Sequence, residues 1–194
     1  MNAAVETPKK IWTEEEIQAL PDYGYIHEIV DGELVISPKN NFFPGLICSR
    51  LSMALQAFAI QHRLGLVLDS STGFWMRNRN CRAPDVSFVT RKRLDELKFK
   101  PTSNEFFPGA PDLAIEVLSP DNSRTEMTAR LKDFFSSGTQ LAWLINPESE
   151  MTEVCRAPDQ RQLVGGPGAE LEGEHLLPGF RYPLMNLFKE WDWD

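Results

Sequence analysis

Cysteine and histidine are scarce in this sequence, and neither is clustered. The six residues are Cys48, Cys81, Cys155, His27, His62 and His175. A structural zinc site needs several such ligands at short spacing, and a disulfide scaffold needs an even, dense set of cysteines. Both are therefore excluded as the basis of the fold. Sparse thiols are typical of proteins of the reducing cytoplasm, which is the location we predict.

Long hydrophobic runs are also absent. The longest apolar stretch, Ala54–Ile60, is interrupted by Gln56 and is far shorter than the ~20 residues of a membrane-spanning helix. The first ten residues are polar and contain no hydrophobic segment of the kind found in a signal peptide. We therefore expect a soluble protein without a membrane segment.

Positive charge is in deficit. Lysine and arginine number 20 against 28 aspartate and glutamate residues, which gives a net charge of −8 and an isoelectric point near 5.0. This balance excludes a uniformly basic surface for binding nucleic acid. A local basic groove is still compatible with the sequence.

The length and composition predict one globular domain. The chain has 194 residues, of which 42% are hydrophobic and 25% charged, as is usual for soluble proteins. A chain of this length buries roughly 70% of its unfolded surface and needs no disulfide or metal to fold. We predict a flexible N-terminus over residues 1–11 and a single domain over residues 12–190.

Hydrophobic periodicity and turn residues predict a mixed α/β fold built on a central sheet. The predicted helices are 13–20, 46–62 and 123–137, with a short helix around Leu94 and Leu97. The predicted strands are 25–30, 33–36, 66–68, 74–76, 84–89, 113–118, 141–145, 152–156 and 162–164, and 98–111 is predicted to be a loop. The strand–helix–strand run over 113–145 is long enough to connect two parallel strands. The fold thus has an N-terminal hairpin and a β-rich C-terminal part.

Two local signals support the N-terminal elements. Thr13 followed by Glu16 is typical of a capping box at the start of a helix. Asp31-Gly32 between two β-prone runs is typical of a tight hairpin turn.

Glu116 is the one charged residue in the apolar run 113–118. Burying an ionised carboxylate without a partner costs several kcal/mol, so a cation, a metal ion or an edge position must stabilise it. Asp85 begins the preceding long strand in a similar apolar setting. Two carboxylates on adjacent strands form a hard-oxygen site suited to Mg²⁺ or Mn²⁺. The alternative is a structural ion pair, for which the candidate cations are Arg82, Arg124 and Arg130.

Three further segments carry a family resemblance. They are 25–34 (YIHEIVDGEL), 82–89 (RAPDVSFV) and 110–120 (APDLAIEVLSP), and the strand end Trp143–Pro147 follows at the expected spacing. Together they resemble the Uma family of restriction endonucleases, within the PD-(D/E)XK nuclease superfamily. The resemblance covers roughly residues 12–190 and implies a restriction-endonuclease-like fold, with a mixed central sheet flanked by helices.

The resemblance also implies an activity and roles for individual residues. Asp85 corresponds to the aspartate of the PD motif and Glu116 to the acidic residue of (D/E)XK, and both would bind the divalent metal. Glu28, in the hairpin, is a further acidic candidate, with a solvated strand residue as the alternative. Asp112 shares a strand face with Glu116, and we interpret it as capping the strand entry. The implied activity is Mg²⁺- or Mn²⁺-dependent cleavage of DNA, by a homodimer.

Accessory positions depart from the pattern of the family. Leu118 stands where the superfamily has its lysine, and Arg130 stands where the family has a lysine on the following helix. Arginine can stabilise developing negative charge on phosphate but cannot act as a base. Lys132 is a poor substitute, because two residues place it on the opposite side of the helix. Pro44 stands where the family often has histidine.

Two hypotheses of function follow. The first is a metal-dependent deoxyribonuclease in which Asp85 and Glu116 hold the metal and Arg130 stabilises phosphate charge. The alternative is a catalytically impaired binding or assembly module that retains the nuclease fold and binds no metal at these positions. A two-carboxylate glycosidase is disfavoured, because the sequence offers no aromatic sugar platform.

Overall fold

The computed structural model describes residues 10–21, 23–38, 40–100, 105–120 and 122–190. Within them, the helices are α1 Glu14–Gln18, α2 Phe42–His62, α3 Arg91–Leu97, α4 Arg124–Ser137 and α5 Met185–Phe188. The strands are β1 Tyr25–Val30, β2 Glu33–Pro38, β3 Gly65–Asp69, β4 Phe74–Trp75, β5 Cys81–Arg82, β6 Val86–Thr90, β7 Phe107–Pro108, β8 Leu113–Val117, β9 Leu141–Asn146, β10 Met151–Cys155, β11 Arg161–Gly165, β12 Glu170–Glu172 and β13 Arg181–Pro183.

The strands form a six-stranded sheet, a five-stranded sheet and a small two-stranded sheet. The six-stranded sheet has the order β11-β10-β9-β8-β6-β3, in which β8 and β9 are parallel and the other pairs are antiparallel. The five-stranded sheet has the order β2-β1-β5-β4-β7, and β12 pairs with β13. The predicted mixed α/β fold and the parallel pair around α4 are confirmed. The N-terminal hairpin, however, belongs to a second sheet and not to the central one.

The local signals at the N-terminus correspond to observed structure. The Thr13 hydroxyl accepts a hydrogen bond from the Glu16 backbone N–H, and the Glu16 carboxylate accepts one from the Thr13 N–H, which completes the capping box. The hairpin turn at Asp31-Gly32 has positive φ at both residues (51° and 80°), the conformation that an Asp-Gly turn favours.

Helix α2 begins at Phe42, four residues before the predicted start. Pro44 lies in its first turn, where a missing backbone N–H costs no hydrogen bond. Arg63, in the left-handed conformation, ends the helix two residues before Gly65. One side of α2 packs on the six-stranded sheet through fully buried residues, namely Ile47, Leu51, Leu55 and Ala59.

Helix α2 is also the one helix in the described residues that is long and apolar enough to cross a membrane. This result rests on length and composition only. The core helix of a soluble protein passes the same test, and the packing of α2 on the sheet makes the result weak evidence for a membrane segment.

Two parts of the chain differ from the prediction. The predicted loop 98–111 contains β7, which pairs in parallel with β4; residues 101–104 lie outside the described residues. The C-terminal part contains the short helix α5 as well as strands. Strands of two residues carry no periodic signal, so only their long-range pairing defines them. The predicted division into a flexible 1–11 and one domain over 12–190 stays a prediction, and residues 1–9 lie outside the described part.

Both faces of the six-stranded sheet are covered, which places β8 in the centre of the protein. Residues of α2 and the C-terminal segment cover one face, and residues of α4 cover the other. Every residue of β8 is consequently buried, and Trp143 on the neighbouring β9 is fully enclosed. Glu116 is the charged residue inside this strand.

We predict that Gly65→Ala destabilises the protein while Gly45→Ala does not. A Cβ at Gly65 would overlap the Val89 carbonyl oxygen and the Phe88 ring, whereas one at Gly45 meets no atom within 4 Å. Overpacking of this kind costs about 2 kcal/mol. Alanine for glycine inside a helix contributes up to ~1 kcal/mol of stability. Urea unfolding followed by circular dichroism measures both, and equal midpoints for the two variants would contradict the prediction.

Candidate functional site

Asp85 and Glu116 meet where β6 and β8 pair. The antiparallel register places Val86 opposite Ile115, so the next residues along, Asp85 and Glu116, face each other. Asp85 Oδ2 accepts a hydrogen bond from the backbone N–H of Val117 at 2.7 Å. The two carboxyl groups that the sequence analysis selected are therefore neighbours on adjacent strands.

Asp85 is held from a second direction by the segment between β2 and α2. Asn40 Nδ2 donates a hydrogen bond to Asp85 Oδ1 at 2.7 Å. Among the described residues, each Asp85 oxygen thus accepts one hydrogen bond, which leaves a lone pair on each. Asn40 was not selected from the sequence, because nothing local connects it to a strand 45 residues later.

Glu116 is buried and bonded to Arg130 of α4. Arg130 Nε donates to Glu116 Oε1 at 2.6 Å, and the Glu116 residue is 7% exposed. Burial raises the pKa of Glu116 to about 8. The nearby charges of Asp85 and Glu28 also raise it, whereas the charge and the hydrogen bond of Arg130 lower it. The Arg130 charge thus compensates Glu116 only in part.

Glu28 is buried, contrary to the solvated alternative. Arg130 Nη1 donates to Glu28 Oε2 at 2.7 Å, Arg82 Nη1 lies 3.4 Å from the same oxygen, and the Ala83 N–H donates to Oε1 at 2.8 Å. Burial alone would raise the pKa of Glu28, but these partners, Arg130 above all, hold it below its ordinary value. Glu28 is thus ionised at neutral pH and forms ion pairs with both arginines.

A further acidic residue, Asp133, extends this network. Arg82 donates to Asp133 Oδ2 from Nη2 at 2.6 Å and from Nε at 2.9 Å. Asn78 and Asn80 also donate to the Asp133 carboxylate, at 2.7 and 2.9 Å. Asp133 was not selected from the sequence. It lies three residues after Arg130, on the same side of α4, and this spacing is the signal that would have found it.

These groups form one ionic cluster, whose members are Glu28, Arg82, Asp85, Glu116, Arg130 and Asp133. With every carboxyl ionised, four negative charges face two positive ones, which leaves an excess of two negative charges. Water screens this excess poorly, because the side chains are largely buried. The described residues include no group of three or more His, Cys, Asp or Glu arranged to hold a metal ion.

Cys48 of α2 also lies beside the carboxyl pair. Burial and the charges of Asp85 and Glu116 raise the pKa of the Cys48 thiol to about 12. The thiol is therefore neutral at physiological pH, and the ionic groups of the site are carboxylates and guanidiniums.

The structure thus brings together all four predicted site residues: Glu28, Asp85, Glu116 and Arg130. Leu118 packs against the apolar cluster on the α4 side of the sheet, so that strand contributes no cation at its end. Lys132 is exposed, as its position on α4 predicts.

Asp112 is separate from the site. Its carboxylate accepts hydrogen bonds from the Thr90 N–H and hydroxyl, from Arg93 and from Gln140. These contacts join the end of β6 to the start of β8. The interpretation of Asp112 as a cap at the strand entry is confirmed.

We predict that Glu28→Gln destabilises the protein by about 3 kcal/mol at pH 7, because it removes the buried carboxylate that Arg82 and Arg130 share and leaves these two cations with only Asp133 and Glu116. The pKa of Glu28 is lowered on folding, so its contribution is present above an unfolded pKa near 4.5 and is lost as the pH falls. The difference between wild type and variant should therefore shrink at acid pH.

Urea unfolding at a series of pH values measures this dependence. The control is Glu96→Gln, which removes the exposed Lys92–Glu96 pair (3.8 Å) and should cost less than ~1 kcal/mol. A Glu28→Gln effect as small as that of the control would contradict the role of Glu28.

Comparisons with known proteins agree with this architecture. Over residues 14–186 the sequence matches the Uma2 family, described as "Putative restriction endonuclease". No curated protein matches the sequence significantly. A crystal structure described as that of "a putative nuclease belonging to DUF820", from Anabaena variabilis, shares the fold, with a TM-score of 0.78 and 22% identity, over 91% of this chain and 97% of that chain. The chain therefore belongs to the Uma2 restriction-endonuclease family, as the three sequence segments predicted.

Proposed function

We propose that this protein is a divalent-metal-dependent endonuclease that hydrolyses phosphodiester bonds in DNA. The observation that carries the proposal is the Asp85–Glu116 pair, two neighbouring carboxyls of which Glu116 is buried and raised in pKa by burial and by the charges of Asp85 and Glu28. Membership of the Uma2 family and the nuclease-like fold support the same reaction class.

The donor atoms of this pair fit Mg²⁺ or Mn²⁺. Both ions prefer oxygen ligands, and Mg²⁺ is commonly bound through one or two carboxylates while it keeps several waters. Asp85 retains a lone pair on each oxygen, and the hydrogen bond from Arg130 to Glu116 is made at Oε1. A divalent ion would favour the ionised form of Glu116, whose pKa is about 8 without it, and would balance the two excess negative charges of the fully ionised cluster. When bound, such an ion activates water and stabilises charge on the phosphate.

The residues of the chain position this chemistry. The Val117 N–H and Asn40 fix Asp85, and Arg130 fixes Glu116. Arg130 also donates to the Ala83 carbonyl oxygen, so all three of its nitrogens are engaged and its charge is held in place. A fixed guanidinium stabilises negative charge that develops nearby, but it cannot take a proton from water.

A basic turn next to the ionic cluster offers contacts to the DNA backbone. Arg77 and Arg79 are exposed, and neither guanidinium has an acidic partner in the part of the chain that the structure describes. The turn is anchored by Asn78 and Asn80, which donate to Asp133 of the cluster. In an acidic protein, such a local pair of cations is where phosphates would bind.

The engagement of Arg130 also favours a second candidate, a nuclease fold that binds a partner without cleaving DNA. With Leu118 at the usual lysine position, no described cation at the carboxyl pair is free to approach a phosphate. This alternative predicts that no metal ion binds at Asp85 and Glu116.

We predict that the double variant Asp85→Asn/Glu116→Gln loses both Mn²⁺ binding and metal-dependent cleavage of DNA. Amides are weaker ligands than carboxylates and remove the negative charge that would attract the cation. Calorimetric titration with Mn²⁺ measures binding, and conversion of supercoiled plasmid measures cleavage. The control is Glu126→Gln, an exposed acid in the first turn of α4, which should bind and cleave like wild type.

Wild-type protein that neither binds Mn²⁺ nor cleaves DNA would support the binding module. Cleavage that survives in the double variant would contradict the roles of Asp85 and Glu116.

We predict that Arg77→Ala/Arg79→Ala weakens DNA binding and reduces its salt dependence. Losing two phosphate contacts should lower the slope of log affinity against log salt by about 2. The matched control is Arg91→Ala/Lys92→Ala, which removes two cations already paired with acids on α3. Fluorescence anisotropy with duplex DNA in metal-free buffer measures the slopes, and equal slopes for the two variants would contradict the assignment.

A further inference from the structure

Helix α2 is apolar on two opposite sides, and the protein covers one of them. Its inner side is buried in the core, whereas on its outer side Phe42, Met53 and Ile60 are 76%, 71% and 64% exposed. A helix that is apolar all round is normally buried all round. Exposed apolar surface of this kind is typical of a surface that a partner covers.

The spacing along the outer side is that of a helix–helix contact. Leu46, Met53 and Ile60 are seven residues apart. Phe42 lies four residues before Leu46, and Ser49 lies three residues after Leu46 and four before Met53. Alternating intervals of three and four are those of a seam that packs against another helix. We call the surface formed by these five residues the α2 seam.

The α2 seam is also uncharged. The one Asp, Glu, Lys or Arg in α2 is Arg50, and its Nη1 donates to the Leu187 carbonyl oxygen at 2.7 Å, toward the C-terminal segment. Two α2 seams can therefore meet without placing like charges together, although each chain carries a net charge of −8.

We propose that the partner is a second copy of this chain, packed through α2 against α2 about a two-fold axis. A two-fold interface pairs one surface with itself, which an uncharged helical seam satisfies. In the described residues, α2 is the one helix of this length with such a seam, so a second copy supplies a matching partner.

The exposed area matches a small, reversible dimer. Phe42, Met53 and Ile60 together present roughly 400 Å² per copy. Complete burial of these residues with Leu46 and Ser49 would give about 1,000 Å² for the pair, the size of a weak interface.

A membrane fits the same surface less well. Helices that lie on a membrane carry a basic opposite face, whereas the opposite face of α2 is the buried core side. Insertion across a membrane would remove Ile47, Leu51 and Leu55 from the core. The acidic chain would also be repelled by anionic lipids.

The test compares the oligomeric state of wild type with that of Met53→Lys/Ile60→Lys, measured by sedimentation velocity over a concentration series. We expect a dimer for wild type and a folded monomer for the variant. The matched control, Ile36→Lys/Leu163→Lys, adds the same charge at exposed apolar residues of β2 and β11 and should remain dimeric. A monomeric wild type, or a dimer that persists in the Met53/Ile60 variant, would overturn the proposal.

A second measurement does not depend on the lysine variant being folded. In a two-fold pair a residue at the middle of the seam meets its own copy, so Met53→Cys should form an intermolecular disulfide under mild oxidation, whereas Leu163→Cys should not. Equal cross-linking of the two would overturn the proposal, as would flotation of wild type with phosphatidylcholine vesicles. None of these measurements depends on nuclease activity, so they test the proposed dimer independently of the proposed function.

Discussion

The structure depends most on the guanidinium group of Arg130. It donates to Glu28 in the five-stranded sheet and to Glu116 in the six-stranded sheet, and it belongs to α4 itself. One side chain thus joins both sheets to the helix between them. Two buried carboxylates share this cation, and burial makes either one costly without it. The same side chain therefore affects both the relative position of the two sheets and the ionisation of Glu116.

Arg130 does not compensate the two carboxylates equally, and their pKa values are shifted in opposite directions. Glu28 also receives Arg82 and a backbone N–H, and its pKa is lowered, whereas Glu116 lies next to Asp85 and its pKa is raised. Structural ion pairing is therefore nearly satisfied at Glu28 and incomplete at Glu116. The ion pair that the sequence allowed is observed at both carboxylates of this guanidinium, and the proposed metal site lies at its Glu116 end.

Helix α2 connects this site to the surface. Asn40, just before the start of α2, donates a hydrogen bond to Asp85. The inner side of the helix packs on the six-stranded sheet, and its outer side is the uncharged α2 seam. A contact on the seam would thus fix the segment that positions a candidate metal ligand. The proposed dimer and the proposed nuclease rest on different observations but share this helix.

The sequence by itself determined the local elements and the identity of the central carboxyls. The capping box at Thr13, the Asp-Gly hairpin and the buried strand with a lone Glu116 are encoded within a few neighbouring residues, so they are readable without the fold. Tertiary structure alone decided which groups meet Glu116 and Asp85. The approach of Asn40 to Asp85 and the contact of Asp133 with Arg82 are set by long-range packing, because these partners are 45 and 51 residues apart in the chain and no local pattern records such a distance. The two-residue strand β7 is likewise defined only by its pairing with β4.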